Sequence, residues 1–299
     1  MIKKIIAGLL IVGVVVGLGI WALGLSKVGE DATTSLKILA TNYPAYDFAR
    51  AVTQGNGKVE VEMLVAPGME VHDFEPTPQE MIEIRKSNVF IYGGGESEGW
   101  AEEILEGAGE VKVLSLMDLA GAERNEDEHV WTSPVMVMKI VEQLGRELGE
   151  LDPENAEQYR ENVKRYKGEL ERVDKEMREV VGRAKRKELV VGDRFPLRYF
   201  VNEYGLKYVA AFTGCSEQTE ASAQTIAKLV TKVREEKTPV VLKMEMSQSG
   251  VAEAIAEETG AEVMEFQSGH LVSQEEFKAG VTYVDLMERN VKALERALY

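Results

Sequence analysis

Residues 36–65, LKILATNYPAYDFARAVTQGNGKVEVEMLV, decide the fold. Leu36–Thr41 and Val59–Val65 are short apolar runs of strand length, and Tyr43–Thr53 between them has the amphipathic spacing of a helix. Two strands separated by a helix cannot form a hairpin. They pair in parallel, with the helix as the crossover. Working outward, strands are expected at Val89–Tyr92 and Val111–Leu114, and helices at Pro78–Lys86 and near Trp100–Gly107. Thr77-Pro78-Gln79-Glu80 is a capping box with proline at the first helical position, so that helix has a defined start.

A second series of the same kind follows. Strands are expected at Glu188–Val191, Tyr208–Ala211, Val240–Met244 and Glu262–Phe266. Helices are expected at Phe195–Tyr204, Ala223–Glu236, Val251–Thr259 and Phe277–Leu298. Between the two series, Asp152-Pro153 opens a charged helix running to about Val181, roughly 45 Å at 1.5 Å per residue. Its apolar positions hold no strict heptad, which argues against a coiled coil. The expected architecture is an α/β fold of two lobes, each a mainly parallel four-stranded sheet with flanking helices, joined by one long linker helix. The expected boundaries are 1–24 for a membrane anchor or signal peptide, 25–35 for a tether, 36–150 for the first lobe, 151–184 for the linker and 185–299 for the second lobe.

The N-terminal assignment rests on residues 5–24, an uncharged apolar run preceded by Lys3 and Lys4. Such a run is long enough to span a bilayer, and the lysines favour a cytoplasmic N-terminus. It is long for a cleaved signal peptide and lacks a small-x-small exit, so an uncleaved anchor is the preferred reading, with secretion following if it is cleaved. Either way the remainder lies on the extracytoplasmic side. Cys215 is the only cysteine, which excludes an intramolecular disulfide and lipidation near the apolar run. The net charge of −16 argues against a nucleic-acid partner, since phosphate neutralisation needs clustered Lys and Arg.

The chain has only three histidines, His72, His129 and His270, each in an expected loop. Histidine is the commonest transition-metal ligand. Three loop histidines therefore pose a choice between one assembled metal site and three unrelated side chains. In open α/β lobes, ligands bind beyond the carboxyl ends of the strands. His72 follows the second strand and His129 the fourth, so both are expected at the cleft.

Pro67-Gly68-Met69-Glu70-Val71-His72-Asp73-Phe74-Glu75-Pro76-Thr77-Pro78 and His129-Val130-Trp131-Thr132-Ser133-Pro134 together resemble two signature runs of the metal-specific solute-binding proteins of zinc and manganese ABC importers. The resemblance covers roughly residues 36 to 299. It implies two lobes on a rigid linker helix, with His72 and His129 as the first-lobe metal ligands. It also implies Zn²⁺ or Mn²⁺ as transported ligand, an ABC transporter permease as partner, and no catalysis. Where family members often carry a long histidine-rich loop, this chain has only Ala122-Glu123-Arg124-Asn125-Glu126-Asp127-Glu128.

The second lobe departs from the family pattern. In Val191-Gly192-Asp193-Arg194-Phe195, aligning the phenylalanine puts Gly192 where a ligand belongs. Asp193 is the nearest coordinating group, with N-cap of the next helix as its alternative role. In Glu265-Phe266-Gln267-Ser268-Gly269-His270, the family's usual aspartate is absent and His270 is the expected ligand, with Glu265 a weaker candidate. Glu245 is either a ligand or a carboxylate that orients an imidazole. Glu220 matches a structural glutamate of the family. Cys215 either binds zinc as thiolate or is a small buried hydrophobe. Gly93-Gly94-Gly95 lacks the Lys-Ser/Thr of a phosphate loop and reads as a close approach of backbone to the cleft. Zinc is favoured over manganese. The rival functions are a metal-independent adhesin on the same fold and, more remotely, a metallohydrolase. The second would need a closer histidine pair than this chain offers.

Overall fold

The computed structural model describes residues 36–299 apart from 73, 102–108, 124–126, 213 and 215–220. The expected anchor and tether, most of the expected helix at Trp100–Gly107, and both Cys215 and Glu220 lie outside the described residues. Among the described residues no helix is long and apolar enough to cross a membrane.

The first sheet contains β1 (Leu36–Ala40), β2 (Val59–Met63), β3 (Val89–Tyr92) and β4 (Lys112–Ser115) in the order β2-β1-β3-β4. The second contains β5 (Glu188–Val191), β6 (Lys207–Ala210), β7 (Val240–Met244) and β8 (Glu262–Phe266) in the order β6-β5-β7-β8. Every pairing is parallel. The two sheets thus repeat one topology, and their carboxyl ends deliver the loops that carry all three histidines.

Helix α1 (Tyr43–Thr53) starts at Asn42, whose side chain accepts from the Ala45 amide. Helix α2 (Pro78–Lys86) has the full capping box, with Thr77 and Glu80 each satisfying the other's backbone amide. Sequence reading missed two helices here, α3 (Leu116–Ala120) and α4 (Pro134–Leu151). The second was legible in principle. Ser133 caps it, Pro134 opens it, and Val137, Ile140, Val141, Leu144 and Leu148 form its buried stripe.

A 3₁₀ turn at Pro153–Asn155 leads into α5 (Ala156–Arg183), the expected linker, roughly 42 Å long. Its buried face packs on α1 and α4 through Tyr159, Val163 and Tyr166. Farther along, Leu170, Val173, Met177 and Val180 belong to the same core as the second sheet. Gly145 of α4 permits the close crossing, since a Cβ there would stand 2.5 Å from Val163 Cγ2.

The second lobe continues with α6 (Arg198–Tyr204), α7 (Ala223–Glu236) and α8 (Val251–Thr259). The expected single helix over Phe277–Leu298 is corrected to two, α9 (Gln274–Ala279) and α10 (Tyr283–Leu298). Gly280 ends the first in the left-handed region, at φ 74°, and a Thr282–Asp285 capping box restarts the chain. The expected helix start at Phe195 moves to Arg198: Pro196 disfavours the helical region for Phe195, and the helix begins after Leu197, which offers no side-chain acceptor as a cap.

One hydrophobic core runs through both lobes, from Ile38, Phe48 and Val141 through Trp131, Tyr166 and Tyr283 to Leu242, Phe266 and Leu294. Asp47 knots its middle. Its carboxylate takes Arg50 of α1 at 2.7 Å, Tyr166 Oη of α5 at 3.0 Å and the Tyr283 amide of α10 at 3.0 Å. Burial pushes its pKa up, against the pull of Arg50 and these hydrogen bonds.

Candidate metal centre

Three loops from three strand ends converge. His72 lies beyond β2, His129 beyond β4 and His270 beyond β8. One ring nitrogen from each lies within 4.8 Å of the other two, and among the described residues no other ligand-type side chain joins that group. The ring centroids are 5.5 Å apart for His72–His129, 4.8 Å for His72–His270 and 5.6 Å for His129–His270. His129 and His270 are buried, and His72 is partly exposed. Trp131 floors the cluster, its ring centroid 5.3 Å from His129 and 5.2 Å from His270. It is held from behind by Tyr283, whose hydroxyl donates to the Trp131 carbonyl at 2.6 Å.

Each first-lobe histidine is fixed by an acid two residues before it. Glu70 Oε1 lies 2.6 Å from His72 Nδ1 and accepts the His72 amide at 3.2 Å. Asp127 Oδ1 lies 2.8 Å from His129 Nδ1 and accepts the His129 amide at 2.9 Å. A carboxylate at Nδ1 favours the proton there and leaves the Nε2 lone pair for a cation. Sequence reasoning did not single out Glu70 or Asp127 for this. The repeated acid-x-His spacing, Glu70-Val71-His72 and Asp127-Glu128-His129, was the available signal.

Glu70 also spans the lobes, since its Oε2 takes Arg194 Nη1 at 2.8 Å. Burial raises its pKa, but bonds from His72 and Arg194 outweigh that and hold it well below the usual carboxylate range. Glu128 stands on the other side of His72, with Oε1 3.3 Å from Nε2 and Oε2 accepting the Ser97 amide at 3.1 Å. Burial opposes its ionisation, and His72 and Ser97 reverse this to give a pKa of about 2.

The remaining candidates fall differently. Asp193 is buried but outside the histidine group, and its oxygens accept the Met244 amide at 3.1 Å and the Arg194 amide at 2.8 Å. Nor does it cap a helix, because α6 begins five residues later. It ties the end of β5 to the end of β7. Glu245 is likewise outside the group. Its Oε2 accepts the Ser268 amide at 2.7 Å, and its Oε1 accepts Ser268 Oγ at 2.5 Å and the His270 amide at 3.3 Å. It therefore shapes the loop backbone that presents His270, and burial raises its pKa. Glu265 points away within β8, bonded to the Gln267 side chain at 2.5 Å.

The glycines do bring backbone close to the site. A Cβ on Gly94 would stand 1.9 Å from Ser115 Oγ, and one on Gly95 would stand 1.9 Å from Glu128 Oε2. Glu98 is buried under the turn and accepts the Gly93 and Gly94 amides. Three imidazoles form a nitrogen-rich donor set, which suits zinc better than the oxygen-loving manganese.

Comparisons with known proteins converge on one family. A model of ZnuA, the zinc-uptake complex component A, periplasmic, matches residues 38–297. The high-affinity zinc uptake system protein ZnuA of Bacillus subtilis (strain 168) is 31% identical over 283 residues, covering 88% of either chain. The zinc-binding lipoprotein AdcA of Streptococcus pneumoniae serotype 4 is 29% identical over 287 residues. That match takes in 89% of this chain but 56% of the relative, so the chain spans little more than half of AdcA. Among solved structures, the metal-dependent lipoprotein YcdH of Bacillus subtilis superposes with a TM-score of 0.78 at 32% identity, covering 88% of this chain and all of that one. The Zn(II)-bound ZnuA-like domain of Streptococcus pneumoniae AdcA gives 0.77 at 29%, covering 88% of this chain and 99% of the other.

Proposed function

We infer the function from the premise that this chain belongs to the family of ZnuA, the periplasmic component A of zinc-uptake complexes. It is a solute-binding protein that captures Zn²⁺ outside the cytoplasm and hands it to an ABC permease. His72, His129 and His270 hold the ion, Glu70 and Asp127 set the tautomers of the first two, and Glu245 shapes the loop of the third. The apolar run at 5–24 anchors the protein to the membrane, leaving the lobes on the extracytoplasmic side. The ion is cargo, and no substrate is turned over.

The observation that carries this reading is the convergence of three ring nitrogens within 4.8 Å from three separate loops. Imidazole nitrogens from three separate loops, two of them oriented by carboxylates at Nδ1, form a donor set that a single divalent cation can share. Elemental analysis and calorimetric titration of the purified protein test it. One zinc per chain is expected, and His72→Ala or His129→Ala is expected to abolish tight binding. Undiminished stoichiometric binding by either variant refutes the assignment.

A further inference from the structure

We propose that Glu128 is the fourth ligand and closes the site with a carboxylate from the first lobe. The inference rests on the reading of the three histidines as the zinc-holding group.

A tetrahedral zinc with bonds of about 2.0–2.1 Å places its donor atoms about 3.3 Å from one another. Glu128 Oε1 stands 3.3 Å from His72 Nε2, the length of one edge of such a tetrahedron. The carboxylate is aimed rather than loose. Its other oxygen is fixed by the Ser97 amide at 3.1 Å, and that amide belongs to a 3₁₀ turn at Glu96–Glu98. Gly95 makes room for it, since a Cβ there would stand 2.2 Å from Glu128 Cβ. The side chain is 13% exposed, so it faces the cleft without being a solvated surface acid.

The other nearby carboxylates are engaged elsewhere. Glu70 holds His72 Nδ1 and Arg194, Asp127 holds His129 Nδ1, Asp193 holds two backbone amides, and Glu245 holds the Ser268 loop. Electrostatics favours a fourth anionic donor. Glu70 and Asp127 act on the ion only through the imidazoles, so a carboxylate bound directly would add the one anionic donor in contact with the divalent charge. Glu128 lies outside the 4.8 Å group of the three ring nitrogens, so its carboxylate must move with the loop it shares with His129 to reach the ion. The first lobe would then supply His72, Glu128 and His129, and the second lobe His270 alone.

The test uses the full chain in mild detergent, wild type, Glu128→Gln, Glu128→Ala and His129→Ala, with zinc affinity measured by competition against a chromophoric chelator. Glu128→Gln, nearly isosteric, is expected to weaken zinc tenfold or more and to alter the visible bands of bound Co²⁺. Wild-type Co²⁺ bands are expected to stay constant between pH 7 and 9, since a closed site has no bound water to ionise. If wild type and Glu128→Gln bind zinc equally while His129→Ala does not, the histidine reading stands and Glu128 is overturned as a ligand. Wild-type cobalt bands that shift with the ionisation of a bound water overturn it as well, even if the variants fail to fold. Absence of zinc binding by wild type overturns both.

Discussion

Replacing Glu98 with glutamine should remove one contribution by which rising pH destabilises the metal-free protein. Glu98 is 2% exposed, and burial pushes its pKa from 4.5 to about 7, against the pull of Thr41 and the Gly93 and Gly94 amides. The folded state therefore holds this proton over a pH range in which the unfolded chain has released it. The sign follows: with more protons bound when folded, stability falls as pH rises from about 4.5 to about 7, and is lowest above that window. A shift of this size corresponds to about 3 kcal/mol, at about 1.4 kcal/mol per unit. Glutamine keeps an acceptor for the two glycine amides and never ionises. Denaturant unfolding with a chelator present, at half-unit steps from pH 4.5 to 8, should show Glu98→Gln gaining on wild type by about 1 kcal/mol per unit through the window. Parallel curves would refute the reasoning.

Zinc affinity should fall as pH drops through about 6.5, because imidazole must be neutral to coordinate, and competition titrations at two pH values check this. His270→Ala should weaken zinc by roughly tenfold or more and narrow the preference over Mn²⁺, read from the same titrations with both metals. Arg194→Met should cost about 1–2 kcal/mol of stability, since it removes the partner of Oε2 on a part-buried Glu70 while Oε1 keeps His72, and should also weaken zinc through His72; thermal unfolding of the apo form measures the first effect. The continuous core along α5 should keep the lobes together, so scattering curves of apo and zinc-loaded protein should nearly superimpose, and a change of several ångströms in radius of gyration would show otherwise.

Strands and helix starts were legible because they obey local rules. Val89–Tyr92 and Val240–Met244 are apolar runs between turns, and Thr77–Glu80 is a cap with its partner in place. The break between α9 and α10 was also written locally, in Gly280 and the Thr282–Asp285 box, but the apolar spacing of Phe277–Leu298 masked it. The site was half legible. Histidines are rare here and stand out, whereas Asp193 and Glu245 are acids at strand ends whose roles depend on which amides the fold brings to them. Glu128 was passed over because it reads as one more acid in an acidic stretch. Only its distance to His72, 56 positions earlier in the chain, distinguishes it.

Gly192 bears on how this binding site can change over generations. A Cβ at that position would lie 2.5 Å from Ala252 Cα and 2.8 Å from its backbone nitrogen. The obstacle is main chain at the start of α8, so trimming a neighbouring side chain would not relieve it. A single codon change to histidine there would disrupt helix packing before it added a donor. Any side chain at that strand end therefore requires the start of α8 to shift, whatever donor it would carry. An engineer wishing to add a donor there would have to move α8 first.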